Sequence, residues 1–409
     1  MPYQAQVRVQ NRGAVLRAML AHHQLSRQDL VRLSGLTPAA VTNIVRELMD
    51  NGLLVEVGNK VSSGSAKVGR RQVLLELNPL AAYAVAVHLG VRYVLVGLAD
   101  LRANLLACKS IRIAEYTDPE NVLQDACTIA QRLMAESAPP TARCIGIGVG
   151  AVGLVDPRVG VSWASAELGW ENIQVGRVFR ELCNMPTFVE NNVRAMALGE
   201  TWFGCGHDVK NLILVYVANV VGCGIIIDRQ LYRGGRFGAG RLGHVIVEQD
   251  GPPCICGGYG CLEAIASQPA IVAAGKEAAA RRRDTLLRSL VDGNTDSITA
   301  STVFRAATLG DQAAQRVVDR VAEHLGLAIW NLARVLDPDL VVLAGLDSQG
   351  RALLVERVQR IVNSRFVSPS GEQLAVVPTA IGDDLALVGA ATLALVPFYQ
   401  APILGGEGV

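Results

Sequence analysis

The chain has 409 residues, of which 50% are hydrophobic and 18% are charged, and its net charge is +1. This composition excludes an intrinsically disordered protein, and the length suffices for two or three globular domains. We find no signal-like N-terminus and no apolar run near the roughly 18 residues that span a bilayer, so we expect a cytoplasmic protein without a membrane partner.

The charge is unevenly distributed along the chain. Residues 1–78 carry a net charge of +5, whereas the remainder carries −4. A basic N-terminal segment on a mildly acidic body suggests contact with a polyanion such as nucleic acid. A solvated surface can show the same excess, so the charge alone does not decide.

Three short helices are predicted within residues 13–51. Apolar residues at helical spacing indicate the first, Ser26 is a suitable N-cap for the second, and Thr37 followed by Pro38 opens the third. Two helices joined by a tight Gly-containing turn form a helix-turn-helix, whose second helix enters the DNA major groove. The residues predicted to face DNA are Thr37, Ala39, Ala40, Thr42, Asn43 and Arg46.

A β-hairpin is predicted after these helices, with strands at 53–57 and 72–77 around a Gly/Ser-rich tip. The hairpin would be the wing of a winged helix-turn-helix. Arg70 and Arg71 lie at its tip, and arginines suit the narrow minor groove of A·T tracts. The alternative is a helix-turn-helix that serves only for packing.

The chain alternates between predicted strands and helices after residue 79, which indicates an α/β body. Strands are predicted at 83–89, 93–99, 105–113, 144–151, 211–216, 222–228 and 340–344, and helices at 119–137, 265–283, 301–309, 311–336 and 351–364.

One imidazole and three thiols occur close together in the second half of the chain, at His244, Cys254, Cys256 and Cys261. This is the ligand set of a closed structural zinc site. The chain has nine cysteines, and an odd number scattered through apolar stretches argues against a disulfide framework. We therefore predict a structural Zn²⁺ at these four residues, the alternative being a cysteine-containing loop without metal.

The same segment resembles the signature of the ROK family, which joins sugar kinases and sugar-responsive repressors. The resemblance rests on Gly243-His244, on Cys254-x-Cys256-Gly-x-x-Gly-Cys261-x-Glu263, and on further matches over essentially the whole chain. It implies a two-lobed actin-like, ribonuclease-H-like body of the hexokinase type, with a cleft between the lobes. The basic N-terminal unit resembles the head of the family's repressors.

The resemblance divides the chain into three parts. These are a winged helix-turn-helix DNA-binding domain at 1–78, a first lobe at 79–195 that a closing helix at 384–398 completes, and a second lobe with the zinc site at 196–383.

The kinase machinery of the family is degenerate in this chain. Residues 88–92 lack the Asp and Thr of one phosphate turn, and residues 218–220 lack the Gly-Thr-Gly of the other. Asn192 occupies the position of the catalytic base, and a carboxamide cannot accept a proton near pH 7. These losses predict a protein that is not an enzyme, although an active sugar kinase with a DNA-binding head stays an alternative.

A ligand pocket is implied by the family positions that Asn191, His244 and Glu263 match, because these positions bind sugar hydroxyls. Arg241 stands where relatives usually have Glu, and Glu167 where they often have Asn. Either the two neutralise each other in a cleft that binds nothing, or Arg241 meets a phosphorylated or acidic sugar. The predicted ligand-binding residues are Glu167, Asn191, Asn192, Arg241, His244 and Glu263.

The sequence therefore predicts a transcriptional repressor of carbohydrate-metabolism genes. We expect it to bind operator DNA and a carbohydrate effector, and to act as a homodimer or higher homo-oligomer. The effector would close the cleft and change the spacing of the two heads. A further alternative is an architectural DNA-binding protein that responds to no ligand.

Overall fold

The structure is a computed structural model that describes residues 3–59, 72–113, 118–365 and 373–400. The N-terminal unit, here called the head, contains the predicted helices and wing strands. They are α1 (Tyr3–Ala21), β1 (Leu25–Ser26), α2 (Arg27–Ser34), α3 (Pro38–Asp50), β2 (Leu54–Asn59) and β3 (Val73–Leu77). The strands form an antiparallel sheet in the order β1-β3-β2. Arg70 and Arg71 lie outside the described residues.

Side-chain caps define the helix-turn-helix, as predicted. Ser26 and Asp29 form a reciprocal capping box at the start of α2, and Gly35 ends that helix with φ 68°. The Thr37 hydroxyl accepts a hydrogen bond from the backbone N–H of Ala40 at 3.3 Å, with Pro38 in the first turn of α3. The turn is therefore fixed by local chemistry at both of its ends.

The first helix is longer than predicted, because its polar N-terminal half has partners that a local pattern does not reveal. Arg8 forms an ion pair with Glu47 of α3 at 2.8 Å, and Arg12 pairs with the same carboxylate. Burial raises the pKa of Glu47, but the two arginines lower it by more, so the carboxylate stays charged. Strand β1 was also not predicted, since two residues are too few to show an alternation.

The first lobe is built on a five-stranded sheet in the order β11-β7-β4-β5-β6. Its strands are β4 (Ala82–Leu89), β5 (Tyr93–Asp100), β6 (Leu105–Arg112), β7 (Arg143–Ala151) and β11 (Thr187–Asn191), and its helices are α4 (Pro119–Ser137), α5 (Val175–Cys183) and α6 (Asn192–Phe203). A small antiparallel sheet of β8 (Leu154–Asp156), β9 (Val161–Ser165) and β10 (Trp170–Ile173) lies beside it.

The second lobe repeats the order of the first, with a sheet β14-β13-β12-β15-β16. Its strands are β12 (Leu212–Val217), β13 (Val221–Ile227), β14 (Gln230–Tyr232), β15 (Leu340–Gly345) and β16 (Ala375–Pro378). Its helices are α7 (Glu263–Ala266), α8 (Gln268–Arg281), α9 (Leu286–Ser289), α10 (Ala300–Thr308), α11 (Gln312–Leu336) and α12 (Ser348–Arg365). In chain order, the first three strands of each sheet pair antiparallel, and the last two strands join the sheet in parallel. This shared topology confirms the predicted two-lobed fold.

One helix predicted at 265–283 is instead two, α7 and α8. Ser267 separates them in an extended conformation, and its hydroxyl accepts from the backbone N–H of Ala270 to begin α8. Short 3₁₀ helices lie at Pro79–Ala81, Leu242–His244, Thr295–Ser297 and Gly382–Asp384.

Helix α13 (Leu385–Gln400) packs against the sheet of the first lobe. Strand β4 alternates between alanines at 82, 84 and 86 and larger residues, and its alanine face lies against α13. At Gly148 of β7, a Cβ atom would come within 1.8 Å of the Ala390 carbonyl oxygen. Small residues on the sheet therefore allow the helix to approach closely.

The head and the first lobe share one hydrophobic core. Leu16 and Met19 of α1 belong to the same cluster as Leu395 and Tyr399 of α13. The Tyr399 ring stacks on Trp202 at 5.8 Å, and its hydroxyl donates to a backbone carbonyl of the first lobe. The boundary at residue 78 stays a prediction, and the packing does not stop there.

The apolar composition of α13 also fits a membrane span, contrary to the expectation from the sequence that no apolar run has such a length. Residues 382–400 form a 19-residue stretch that contains an 18-residue window of mean hydropathy 1.2, and 67% of that window is buried inside the protein. A buried core helix has the same composition, and the contacts of α13 with the sheet and the head account for its apolar residues.

The contact between α6 and α13 can be tested at Gly389. A Cβ atom there would lie 2.7 Å from the backbone nitrogen of Met196, so we expect Gly389→Ala to lower the free energy of unfolding by about 1–3 kcal/mol. Helix propensity alone would stabilise the Ala variant by about 1 kcal/mol, so a net loss in the free energy of unfolding must come from the clash. Urea denaturation measures it, with Gly235→Ala as control, since no atom lies within 4 Å of that Cβ position. Equal stability of the two variants would contradict the close contact.

Candidate functional site

The four predicted metal ligands converge in the second lobe. The ligand atoms of His244, Cys254, Cys256 and Cys261 all lie within 4.8 Å of one another. Cys254 Sγ is 3.7 Å from His244 Nδ1, and Cys256 Sγ is 3.7 Å from Cys261 Sγ. A tetrahedral site with metal–sulfur bonds of about 2.3 Å has edges of about 3.8 Å. Two of the donor–donor distances therefore match the edge of such a tetrahedron, and the four donors together could hold a metal ion.

The loop that carries the cysteines is held by its own backbone. Val247 N–H donates to the Gly260 carbonyl, and Gly260 N–H donates to the Pro252 carbonyl, both at 2.9 Å. Gly260 has φ 67°, and a Cβ atom there would meet the Glu248 carbonyl oxygen at 1.7 Å. Only glycine fits at this position, so the tight loop follows from the sequence.

A cavity of about 400 Å³ between the lobes, here called cavity A, brings together every predicted ligand-binding residue. The second lobe contributes Arg241, His244 and Glu263. Asn191 and Asn192 lie at the carboxyl end of β11, and Glu167 lies between β9 and β10 of the small sheet. Because His244 belongs both to the metal cluster and to this wall, a bound metal would orient its ring.

Glu263 is a buried carboxylate in the wall of cavity A. Its Oε2 accepts a hydrogen bond from the Val221 backbone N–H at 2.8 Å. Burial raises its pKa, and the nearby Glu167 charge adds to the rise, while the hydrogen bond, His244 and Arg241 act in the opposite direction. The cavity therefore presents a carboxylate that accepts hydrogen bonds readily.

Asn191 and Asn192 form the start of α6. The Asn191 carbonyl oxygen accepts from the backbone N–H groups of Val193 and Arg194, at 3.1 and 3.2 Å, and its amide donates to the Gly153 carbonyl. Asn191 is therefore a helix cap as well as a wall residue. The Asn192 carbonyl oxygen accepts from Val193 N–H at 2.9 Å, which leaves its NH₂ group as the free end of the side chain.

Arg241 and Glu167 do not neutralise each other directly. Within the part of the chain that the structure describes, no ion pair joins them. Glu167 accepts instead from the Ser165 hydroxyl at 3.0 Å, and Arg241 is exposed. This geometry does not support the alternative of a self-neutralised cleft.

A buried ion-pair network behind cavity A was not predicted. Glu190 is 1% exposed and lies between Arg194, at 2.8 Å, and Arg233, at 2.6 Å. Arg194 also donates to the Val155 carbonyl of the first lobe and the Phe237 carbonyl of the second. Burial and the positive charge of Arg233 lower the pKa of Arg194, whereas the negative charge of Glu190 raises it. The network therefore ties the two lobes together.

A second cavity, of about 350 Å³ and here called cavity B, adjoins cavity A, since Asn192 and Val220 line both. His88 in its wall is 3% exposed, and burial lowers its pKa to about 4, so the ring is neutral near pH 7. No lysine or arginine occurs among the described residues that line cavity B. A nucleotide's phosphates would find no cationic side chain there, in agreement with the degenerate phosphate turns.

Six of the predicted DNA-contacting residues lie on α3 or at its N-cap, Thr37. Val41, Ile44, Val45 and Leu48 are buried. The predicted DNA-facing residues on the opposite side are accessible. Ala40 is half-buried, and the exposed ones are Thr37, Ala39, Thr42, Asn43 and Arg46. The Thr42 hydroxyl donates to the Pro38 carbonyl at 2.8 Å within the helix.

The sequence and the structure are similar to proteins of one family. The sequence profile of the ROK family matches residues 84–396. Over 399 residues the chain is 29% identical to a putative xylose repressor from Caldicellulosiruptor sp. (strain Rt8B.4), with 96% of this chain and 97% of the relative covered.

Two solved structures separate the branches of that family. A ROK family transcriptional regulator, homologous to the E. coli MLC protein, matches with a TM-score of 0.80 at 26% identity and covers 97% of each chain. A ROK family glucokinase from Streptomyces griseus, in complex with glucose and AMPPNP, has a TM-score of 0.68 at 26% identity and covers 76% of this chain and 99% of its own. The regulator therefore accounts for more of this chain than the kinase does.

The Glu190 network predicts a large loss of stability for Glu190→Gln. The change keeps the shape of the side chain but leaves the buried Arg194 guanidinium without its anion, so we expect a loss of about 3–5 kcal/mol in the free energy of unfolding. Denaturant unfolding measures it. Glu171→Gln, at an exposed position, is the matched control and should change stability by less than about 0.5 kcal/mol. Similar losses in both variants would mean that the network contributes nothing.

Proposed function

Because the chain belongs to the ROK family, we propose that it is a sugar-responsive transcriptional repressor of carbohydrate-metabolism genes. The observation that carries this proposal is a winged helix-turn-helix with an exposed α3 face, packed on a body that holds Asn192 where the kinases have their base. The solved regulator covers 97% of the chain. The protein is accordingly a regulator and not an enzyme.

Operator DNA is the partner we assign to the head. The N-terminal turns of α3 carry small and polar residues, which allow a helix to enter the major groove. Thr42 and Asn43 are the proposed contacts to bases, and Arg46 to a phosphate. We retain Arg70 and Arg71 as proposed minor-groove contacts on the sequence pattern alone.

A carbohydrate is the effector we assign to cavity A. Carboxylate, amide and imidazole groups line its wall, which suits a ligand rich in hydroxyl groups. Arg241 is exposed and makes no ion pair among the described residues, so it is available to an anionic group. These features favour a phosphorylated or acidic sugar over a neutral one.

Zinc is the metal we assign to the His244 cluster. Three thiolates and one imidazole complete a tetrahedral site, which leaves no open position for a reaction. When bound, the ion would supply rigidity: it would fix the loop and the orientation of His244 in the wall of cavity A.

The response to the effector would run through the packing of the two lobes. Cavity A is lined by both lobes, so a ligand can favour one relative position of them if it binds the two states with different affinity. The head shares its core with the first lobe and moves with it. In a homodimer, the form we propose in the cytoplasm, such a change alters the spacing of the two α3 helices on an inverted repeat.

DNA binding can be tested at Arg46. We expect wild-type protein to select inverted-repeat fragments from a random-sequence library and to retard them in gels at moderate salt. Arg46→Ala removes one phosphate contact, so affinity should fall by about 1 kcal/mol, roughly fivefold, and the slope of log K against log salt should decrease by about one.

Arg283→Ala is the control, because Arg283 is equally charged and exposed but lies in the second lobe. It should leave affinity and salt slope unchanged. Failure of the wild-type protein to bind any inverted repeat would rule out the repressor function.

Metal content tests the zinc site. Purified protein should contain about one zinc ion per chain by elemental analysis. Cys261→Ser should lose most of it and lower the melting temperature, since metal binding is coupled to folding of the loop. Cys108→Ser changes an exposed cysteine outside the cluster and should keep the full content. Equal metal content in both variants would exclude the assignment.

A further inference from the structure

We propose that cavity B holds a second sugar ring, so that the effector is a glycoside of at least two rings rather than a monosaccharide. This inference rests on the proposed function of cavity A. The two cavities are both lined by Asn192 and Val220, and a ligand that fills both passes these two residues. Each cavity lies within the range of about 300–1,000 Å³ that is usual for small-ligand sites.

Cavity B contains polar side chains that the protein itself leaves unpaired. His88 Nδ1 is buried and has no hydrogen-bond partner. Within the described residues, the hydroxyl of Tyr216 and the side-chain amides of Asn219 and Gln268 also make no hydrogen bond to protein. Of these groups only His88 Nδ1 is fully buried, and a buried polar atom is normally paired. Tyr216, Asn219 and Gln268 are half-buried, so their polar atoms are accessible to a ligand that exchanges hydrogen bonds with them.

The charges around cavity B favour a neutral, hydroxyl-rich ligand over a nucleotide. Its only described ionised lining groups are Asp347 and Asp383. The Asp347 carboxylate accepts hydrogen bonds from the Gly350 N–H and the Ser301 hydroxyl, and Asp383 forms an ion pair with Arg351. Phosphates would therefore meet two carboxylates, and the Arg351 guanidinium beside Asp383 is already engaged by that carboxylate, whereas sugar hydroxyls can both donate to and accept from amides, imidazole and phenol.

Asn192 has the right chemistry for the junction of two rings. Its carbonyl oxygen is held by Val193 N–H, so its NH₂ group is the end that can meet a ligand. The oxygen that bridges two sugars carries lone pairs and no proton, and it can only accept. A carboxylate at this position could not donate to it, but the carboxamide can. The residue that disables proton abstraction thus suits a glycosidic link.

Matched pairs of sugars test the proposal by isothermal titration calorimetry on the full zinc-loaded chain. The probes are xylose and xylobiose, glucose and cellobiose, N-acetylglucosamine and chitobiose, and galacturonate and digalacturonate. In at least one pair the disaccharide should bind about tenfold or more tightly than its monosaccharide, because the second ring adds hydrogen bonds in cavity B.

Two variants locate this gain. Gln268→Ala removes a group in cavity B, and Asn192→Asp keeps the size of the junction residue but removes its donor. Each should reduce the ratio of monosaccharide to disaccharide Kd about three- to tenfold. Gln124→Ala, on the exposed side of α4, is the matched control and should leave the ratio unchanged.

Three results would overturn the inference. Equal Kd values within every pair, or ratios that the variants leave unaltered, would show that no second ring occupies cavity B while the proposed function stands. Binding of AMPPNP in competition with the disaccharide would assign cavity B to a nucleotide. If no sugar of either length binds although DNA does, the sugar-sensing part of the proposed function fails as well.

Discussion

The Glu190 carboxylate is the point on which the arrangement of the two lobes depends. A buried carboxylate is costly unless it is paired, and its two partners come from different parts of the chain. Arg194 lies on α6, four residues after Glu190, whereas Arg233 lies 43 residues after Glu190 in the second lobe. Because Glu190 lies near the end of β11 and pairs with both arginines, the second lobe is held against this end of the strand. Asn191 and Asn192 begin α6 at this place, so the walls of both cavities are assembled by the same network.

The sequence predicts well those features whose chemistry lies within a few residues. The caps at Ser26 and Thr37 and the His244 cluster are local patterns, and the structure contains them. The residues of cavity A came from the family resemblance, and the structure brings them together. Their roles as ligand contacts remain a proposal.

Features that depend on distant partners escaped prediction. The polar start of α1 gave no apolar pattern, since what holds it is Glu47 on another helix. Arg233 could not be assigned to Glu190 from spacing, although Arg194, which lies four residues after Glu190, was a usable signal. Cavity B is made by side chains from both lobes, and its unpaired groups become visible only when the chain is folded.

The common core of the head and the first lobe has a consequence for cooperativity. Tyr399 and its neighbours on α13 lie between α1 and the sheet, so neither side can lose its structure without exposing apolar surface of the other. Regions that share a core in this way open together. The head should therefore exchange its backbone amide protons with solvent at the rate of global opening of the first lobe, and a truncated chain that ends after the wing would leave one side of α1 unprotected.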